Sequence, residues 1–253
     1  MHLTWYEANT WLIEAAGLRI LVDPWFEGPL VFGNLPWLFQ AERRRPAELP
    51  APPIDAILLS QGLEDHAHPP TLARLDKAIP VIGSPSAARV ATALGFSHVT
   101  PLAHGQQTRL GQLTLEALPG APVGPTQVEN AYLLQADGLT LYYEPHGFHD
   151  AVIQAGRRMD VAITPLVDLS LPLVGPIIRG QDQALRLAQA CRPQLLLPTA
   201  TGDYQASGLI MNLIQMQGSL EELAARLKAE HLSTQILDVT PGRPVAIPLG
   251  VPT

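Results

Sequence analysis

Cysteine is almost absent from this chain. Cys191 stands alone, so no intrachain disulfide can form, and a reducing compartment suits the protein. Charge is also sparse: Asp, Glu, Lys and Arg make up 15% of the residues, which argues against disorder driven by excess charge. Acidic residues outnumber basic ones, 23 to 16, and Arg43-Arg44-Arg45 is the one basic run. A nucleic-acid groove needs a basic stripe to meet the phosphates, so no nucleic-acid partner is expected. No uninterrupted apolar stretch reaches the ~18 residues of a membrane-crossing helix. The start, Met1 to Glu7, lacks the basic opening and long apolar run of a signal peptide. The expectation is a soluble, cytoplasmic protein.

What the chain does have is apolar bulk. Hydrophobic residues reach 47% over 253 residues, enough for one large domain with a well-buried core, and residues 1–253 are read as that domain. The first half reads as strands and turns. Trp11–Glu14 and Arg19–Val22 flank Ala16-Gly17 as a hairpin, and the second run stops at Asp23-Pro24. Residues 25–53 form a long connection crowded with bulky apolar side chains, and loops of that length are often functional. A strand at Ile54–Leu59, a helix near Pro70–Asp76, a short strand at Val81–Gly83 and a helix from Ser84-Pro85 to Leu94-Gly95 follow. Hairpins are expected over Thr108–Leu118 and over Ala131–Tyr143. The second half alternates strands at Val161–Ile163 and Leu195–Leu197 with helices over Gln181–Ala190 and from Ser219, and the tail supplies a last strand or two. Hairpins first and alternation later suggest two sheets sandwiched between outer helices.

The segment Ser60-Gln61-Gly62-Leu63-Glu64-Asp65-His66-Ala67-His68 carries the most chemical information. It follows an apolar strand and precedes a helix, so Asp65 and His66 sit on a tight turn as metal ligands. The competing structural reading makes Asp65 a cap for the following turn, with His66 hydrogen-bonded beneath it. Glu144 and His146 form a second polar cluster after a strand, in Tyr143-Glu144-Pro145-His146-Gly147. His68 and His149 are read as outer or surface residues.

The order of these pieces resembles the metallo-β-lactamase superfamily, and within it the ascorbate-6-phosphate-lactonase-like branch. Asn9–Glu14 with Ile20–Trp25 is similar to that branch's opening hairpin. Ile54–Ser60 runs into the position of its His-x-His-x-Asp-His loop. Asn130–Leu134 with Leu139–Tyr143 resembles the strands before its bridging aspartate, and Arg192–Pro198 the strand before its last histidine. The resemblance implies an α/β fold, the four-layer αββα sandwich. It also implies a degenerate motif: Gln61 and Leu63 stand where two histidines are expected. The third histidine falls near Ala121-Pro122, the bridging aspartate at His146, and the last histidine near Thr199-Ala200. Leucine has no lone pair and glutamine is a poor zinc ligand, so the first metal site is expected to be gone. What remains is at most one zinc, manganese or iron ion on Asp65, His66 and His146, with Glu64, His68, Glu144 or Asp203 available to complete the set.

Two functions stay open. One is a hydrolase of an ester, lactone or phosphoester, with Asp65, His66, Glu144 and His146 as its site and the metal ion acting as a Lewis acid that acidifies water. The other is a catalytically inactive relative, a pseudoenzyme serving as a binding or assembly protein. The partner expected is a small-molecule substrate, and the aromatic insertion from Trp25 to Phe39 bears on its nature. With the apolar runs Leu169–Ile178 and Leu209–Ile214, it can line a pocket for an apolar substrate or form a homodimer interface. It can also touch a membrane with Arg43–Arg45 as fringe, or fold back as a small core of its own. Membrane contact is disfavoured by the negative overall charge.

Overall fold

The computed structural model describes residues 1–124, 126–172 and 175–248. Two seven-stranded sheets face one another. The first runs, in spatial order, Pro244–Ala246, His2–Trp5, Trp11–Ala15, Leu18–Val22, Ala56–Leu59, Val81–Gly83 and Val99–Pro101. The second runs Gln235–Ile236, Leu195–Pro198, Val161–Thr164, Leu139–Tyr143, Gln127–Ala136, Leu113–Val123 and Gln107–Leu110. Alternating side chains of both sheets, among them Trp11, Ile13, Leu58, Leu115, Tyr132 and Ile163, close the core between them. Outside the first sheet lie helices α1 (Pro69–Arg74) and α2 (Pro85–Ala93), which bury Leu72, Ala87 and Ala91 against it. Outside the second lie α3 (Asp150–Gln154), α4 (Gln181–Cys191) and α5 (Leu220–Ala229), packed through Val152, Ala184, Leu187 and Leu223. The layers are helix, sheet, sheet, helix: the αββα sandwich expected.

Each sheet is antiparallel at one side and parallel at the other. Leu18–Val22, Ala56–Leu59 and Val81–Gly83 run parallel in the first sheet. Leu139–Tyr143, Val161–Thr164 and Leu195–Pro198 run parallel in the second. Parallel strands need crossover connections, and these deliver strand ends to a common edge of the sandwich. Asp23, Ser60, Glu144 and Thr199 each follow directly on one of these strands. The site is assembled at that edge.

The long connection after Val22 is more ordered than its composition suggests. Gln40–Arg43 pairs with Leu30–Val31 on one side and with Tyr204–Ser207 on the other, making a small third sheet. A fourth joins Gly175–Ile178, Asp168–Leu171 and Gln215–Gln217. Trp25 and Leu30 pack with Ala8 and Ala41 as a satellite core, so the folding-back reading holds for the first part of the insertion. The run Leu169–Ile178 includes residues 173 and 174, which lie outside the described residues. Arg43 is not a free cationic fringe: it is buried against Glu7 at 2.7 Å, with its guanidinium over the Trp25 ring. Arg44 pairs with Asp203 at 3.2 Å.

Candidate metal centre

The turn from Gln61 to His68 is set by two close packings. Helix α1 begins at a proline pair with His68 as its N-cap, its Nδ1 accepting from the Thr71 amide at 3.4 Å. The front of the turn lies against α2. Gly62 donates its amide to Ser86 Oγ at 2.9 Å, and a Cβ at Gly62 would meet the Ser86 backbone at 2.9 Å. Between these fixed ends the chain presents Asp65 and His66 inward.

A buried carboxylate that the sequence reading took only as a strand stop decides how His66 stands. Asp23 is fully buried, with a left-handed backbone at φ 41°. Its Oδ1 accepts from the Ser60 amide at 2.7 Å, and its Oδ2 from Ser60 Oγ at 2.5 Å and Tyr143 OH at 2.6 Å. The same Oδ2 accepts from His66 Nδ1 at 2.7 Å. That bond places a proton on Nδ1 and turns Nε2 toward Asp65, whose Oδ2 lies 3.0 Å away. A carboxylate behind a histidine in this way fixes the tautomer and raises the basicity of the other nitrogen. Asn9 also reaches His66 Nε2, at 3.3 Å, and is itself held by Thr199 Oγ1 at 3.2 Å. Thr199 stands where the resemblance put the last histidine, and it supports the site through Asn9.

His146 arrives from the other sheet. Its ring lies 5.1 Å from that of His66, and its Nε2 is 3.3 Å from Gln61 Nε2. The turn that carries it is closed by Glu144, whose Oε2 accepts the amides of His146 at 3.1 Å, Gly147, and Phe148 at 2.7 Å. Gly147 is required there: a Cβ would fall 1.7 Å from the carbonyl oxygen of Arg179. Glu144 therefore shapes the turn, and burial pushes its pKa up to about 7.

Asp65, His66 and His146 each offer a ligand atom within 4.8 Å of the others, the three-residue group expected from the sequence. Of the remaining candidates Glu144 keeps its Oε1 buried with no hydrogen-bond partner among the described residues, and the others are committed elsewhere. Glu64 Oε1 accepts from the Gly33 amide at 2.9 Å, and Asp203 pairs with Arg44. His68 is buried between Thr71 and the Pro29 carbonyl. His149, also buried, bonds Thr164 Oγ1 at 3.0 Å and Tyr142 OH at 3.3 Å. Neither is a surface residue. Leu63 is partly exposed and points no donor at the centre.

The charges are unequal. Burial disfavours an ionised His66, yet Asp65 and Asp23 outweigh it and raise its pKa to about 10. Burial likewise opposes ionisation of Asp65, but His66 and His146 hold its carboxyl below the usual range. His146 is lowered to about 4, first by burial and then by the charge on His66. A metal ion fits this donor set. Carboxylate and imidazole are ordinary ligands for zinc, manganese or iron. Asp65 Oδ1 and Gln61 Oε1 are buried without a hydrogen-bond partner among the described residues, which leaves acceptor capacity at the centre.

Comparison with known proteins agrees with this architecture. Residues 2–200 match the beta-lactamase superfamily domain. The chain belongs to the metallo-β-lactamase superfamily. It is 23% identical over 206 residues to a UPF0173 protein of Pyrococcus abyssi, covering 81% of this chain and 85% of that one. Among solved structures it is similar to a metallo hydrolase of Ignicoccus hospitalis, with a TM-score of 0.68 and 16% identity over 98% of this chain and 99% of the other. An isothiocyanate hydrolase from Delia radicum gut bacteria gives a TM-score of 0.69 and 17% identity at the same coverage. At such identities the structural likeness speaks for the fold. No helix among the described residues is long and apolar enough to cross a membrane.

Proposed function

We propose that this superfamily member, of the ascorbate-6-phosphate-lactonase-like branch, is a hydrolase of an ester, lactone or phosphoester built on at most one metal ion. Asp65, His66 and His146 would hold the ion. The observation that carries this reading is the convergence of the three, from two sheets, around a histidine whose far nitrogen is fixed by buried Asp23. Bound there, a zinc, manganese or iron ion would serve as a Lewis acid toward the carbonyl or phosphoryl oxygen of the substrate. The chain's own residues supply the orientation. Asp23 sets the His66 tautomer, Asn9 donates to the Asp65 carbonyl, and Glu144 holds the turn that carries His146. Burial of these groups keeps solvent from competing for their hydrogen bonds.

One observation favours the second reading, an inactive binding or assembly protein. Asp23 and Asp65 on either side of His66 already satisfy a protonated imidazole, so the cluster is electrostatically complete with a proton in the middle. Elemental analysis separates the two. Protein purified without added metal should carry one equivalent of a transition metal, and Asp65→Ala or His146→Ala should lose it. No bound metal, and no uptake when zinc, manganese or iron is added, would overturn the hydrolase reading.

A further inference from the structure

Among the described residues, Arg179 is the one arginine that is neither exposed nor within ion-pair distance of a carboxylate. The other half-buried arginines, Arg19, Arg43, Arg157 and Arg226, pair with Glu14, Glu7, Glu116 and Asp182. Residues 125, 173, 174 and 249–253, outside the described residues, include no aspartate or glutamate. The Nε of Arg179 is buried and has no hydrogen-bond partner among the described residues. A half-buried cation with an unpaired donor is costly to keep, which points to a partner from outside the chain.

The turn that carries His146 fixes where this cation stands. Arg179 follows the strand Gly175–Ile178 and donates its amide to the His146 carbonyl at 2.9 Å. Next to it, a Cβ at Gly180 would sit 2.3 Å from the Val167 nitrogen, so the backbone is held tightly on both sides. The guanidinium lies over the Phe148 ring, 4.3 Å from its centroid and two residues beyond His146 in the chain. Such stacking covers a face of the guanidinium and leaves its in-plane N–H donors free. Asp168 gives its Oδ1 to the Gly180 amide at 2.7 Å and forms no ion pair with Arg179.

The candidate centre has the opposite character. Asp23 and Asp65 flank His66, and the unpartnered groups there, Asp65 Oδ1 and Gln61 Oε1, are acceptors. A molecule that spans both places meets acceptors at one end and a cationic donor at the other. Resting on the hydrolase reading, we propose that the substrate carries a carboxylate, held by the Arg179 guanidinium while its hydrolysable group sits at Asp65, His66 and His146. The planar fork of arginine matches a carboxylate bidentately. A single guanidinium beside Asp168, in a chain of net charge −7, balances a monoanion better than a phosphate dianion.

Nuclear magnetic resonance of the arginine Nε–H groups tests this without turnover. Arg179→Lys and Arg89→Lys identify the two signals by their loss, and circular dichroism confirms that both variants fold. The full-length protein, as purified, is titrated with sodium acetate against sodium chloride at equal ionic strength. The Arg179 signal is expected to shift and saturate with acetate, with a half-point at least about tenfold below that of exposed Arg89. Sodium phosphate should bind more weakly than acetate. Asp65→Ala, which removes a metal ligand, should leave the acetate response in place. No response beyond that to chloride, or a half-point no lower than that of Arg89, would make stacking on Phe148 the whole role of Arg179 and overturn the inference. Tighter binding of phosphate than acetate overturns it too, as does a response lost with Asp65→Ala, which would put acetate on the metal. Saturable acetate binding without bound metal sinks the hydrolase reading alone, and bound metal without an acetate response sinks this one alone.

Discussion

His66 and His146 are the same side chain, 5.1 Å apart ring to ring, and the protein holds them by opposite means. His66 is gripped through its ring, with Asp23 and Ser60 at Nδ1 and Asp65 at Nε2. His146 is gripped through its backbone: its amide donates to Glu144 and its carbonyl accepts from Arg179, while the one hydrogen bond of its ring among the described residues is to the neutral amide of Gln61. One imidazole is thereby raised to about 10 and the other lowered to about 4. The difference teaches that the centre has a fixed half and an adaptable half. A metal ion entering it must displace a proton from His66 but none from His146, so its affinity should rise with pH through the neutral range.

Breaking the fixed half should have the largest effect. Asp23→Ala leaves the Ser60 amide and hydroxyl, Tyr143 OH and His66 Nδ1 without their shared acceptor. Removing one partner from such a buried charged network costs about 3–5 kcal/mol. Urea unfolding is expected to show that loss. A change below about 1 kcal/mol, the net worth of one ordinary hydrogen bond, would mean that Asp23 is not the hub.

The pH dependence of metal-free protein separates the two histidines by sign. His66 has a folded pKa above its unfolded value, so its contribution is complete below pH ~6.5 and is lost as pH rises toward about 10. His146, lowered to about 4, and His149, lowered to about 3 by burial and then by Arg186, do the reverse. Their stability is present above pH ~6.5 and is lost as pH falls through 4. Unfolding free energy should therefore decline on both sides, by on the order of a few kcal/mol on the alkaline side up to pH ~8.5, and thermal midpoints should fall with it. Above that range the raised thiol of Cys191 and the buried tyrosines add to the loss. His66→Asn should flatten the alkaline limb alone; a limb that survives it would show that another group is responsible.

Much of the fold was legible because it is written locally. The hairpins at Trp11–Val22 and Gln127–Tyr143, the capped start of α2 and the buried parallel strands all follow from alternation, turn residues and caps. The candidate cluster was legible as far as it depends on residues at strand ends. Asp23 was not, because its partners lie 37, 43 and 120 residues away at Ser60, His66 and Tyr143, and no local spacing reports that. The small sheet was missed for the same reason on its distant side, where Gln40–Arg43 pairs with Tyr204–Ser207 as well as with nearby Leu30–Val31. Glu144 shows the converse. A carboxylate just after a strand has the same appearance in sequence whether it faces a metal or caps a turn; here Oε2 is taken by three backbone amides, while Oε1 is buried with no hydrogen-bond partner among the described residues. The insertion was legible in composition but not in its division, with Trp25 buried and Trp37 exposed.

The adaptable half should respond least. Gln61 is buried, and the one hydrogen bond of its side chain among the described residues is the 3.3 Å approach of its nitrogen to His146 Nε2. Its Oε1 has no partner among the described residues. Gln61→Ala removes a single neutral hydrogen bond and, with it, an unsatisfied buried oxygen. The first costs about 1 kcal/mol and the second offsets part of that, so the net change should stay within about 1 kcal/mol. The alkaline limb set by His66 should be unaltered, because Gln61 is hydrogen-bonded to neither Asp23 nor Asp65. The imidazole resonances of His146 in NMR spectra should nevertheless broaden or shift as its ring loses its brace, while those of His66 stay in place. If both histidines respond together, the two halves are one coupled unit, and the division between them fails.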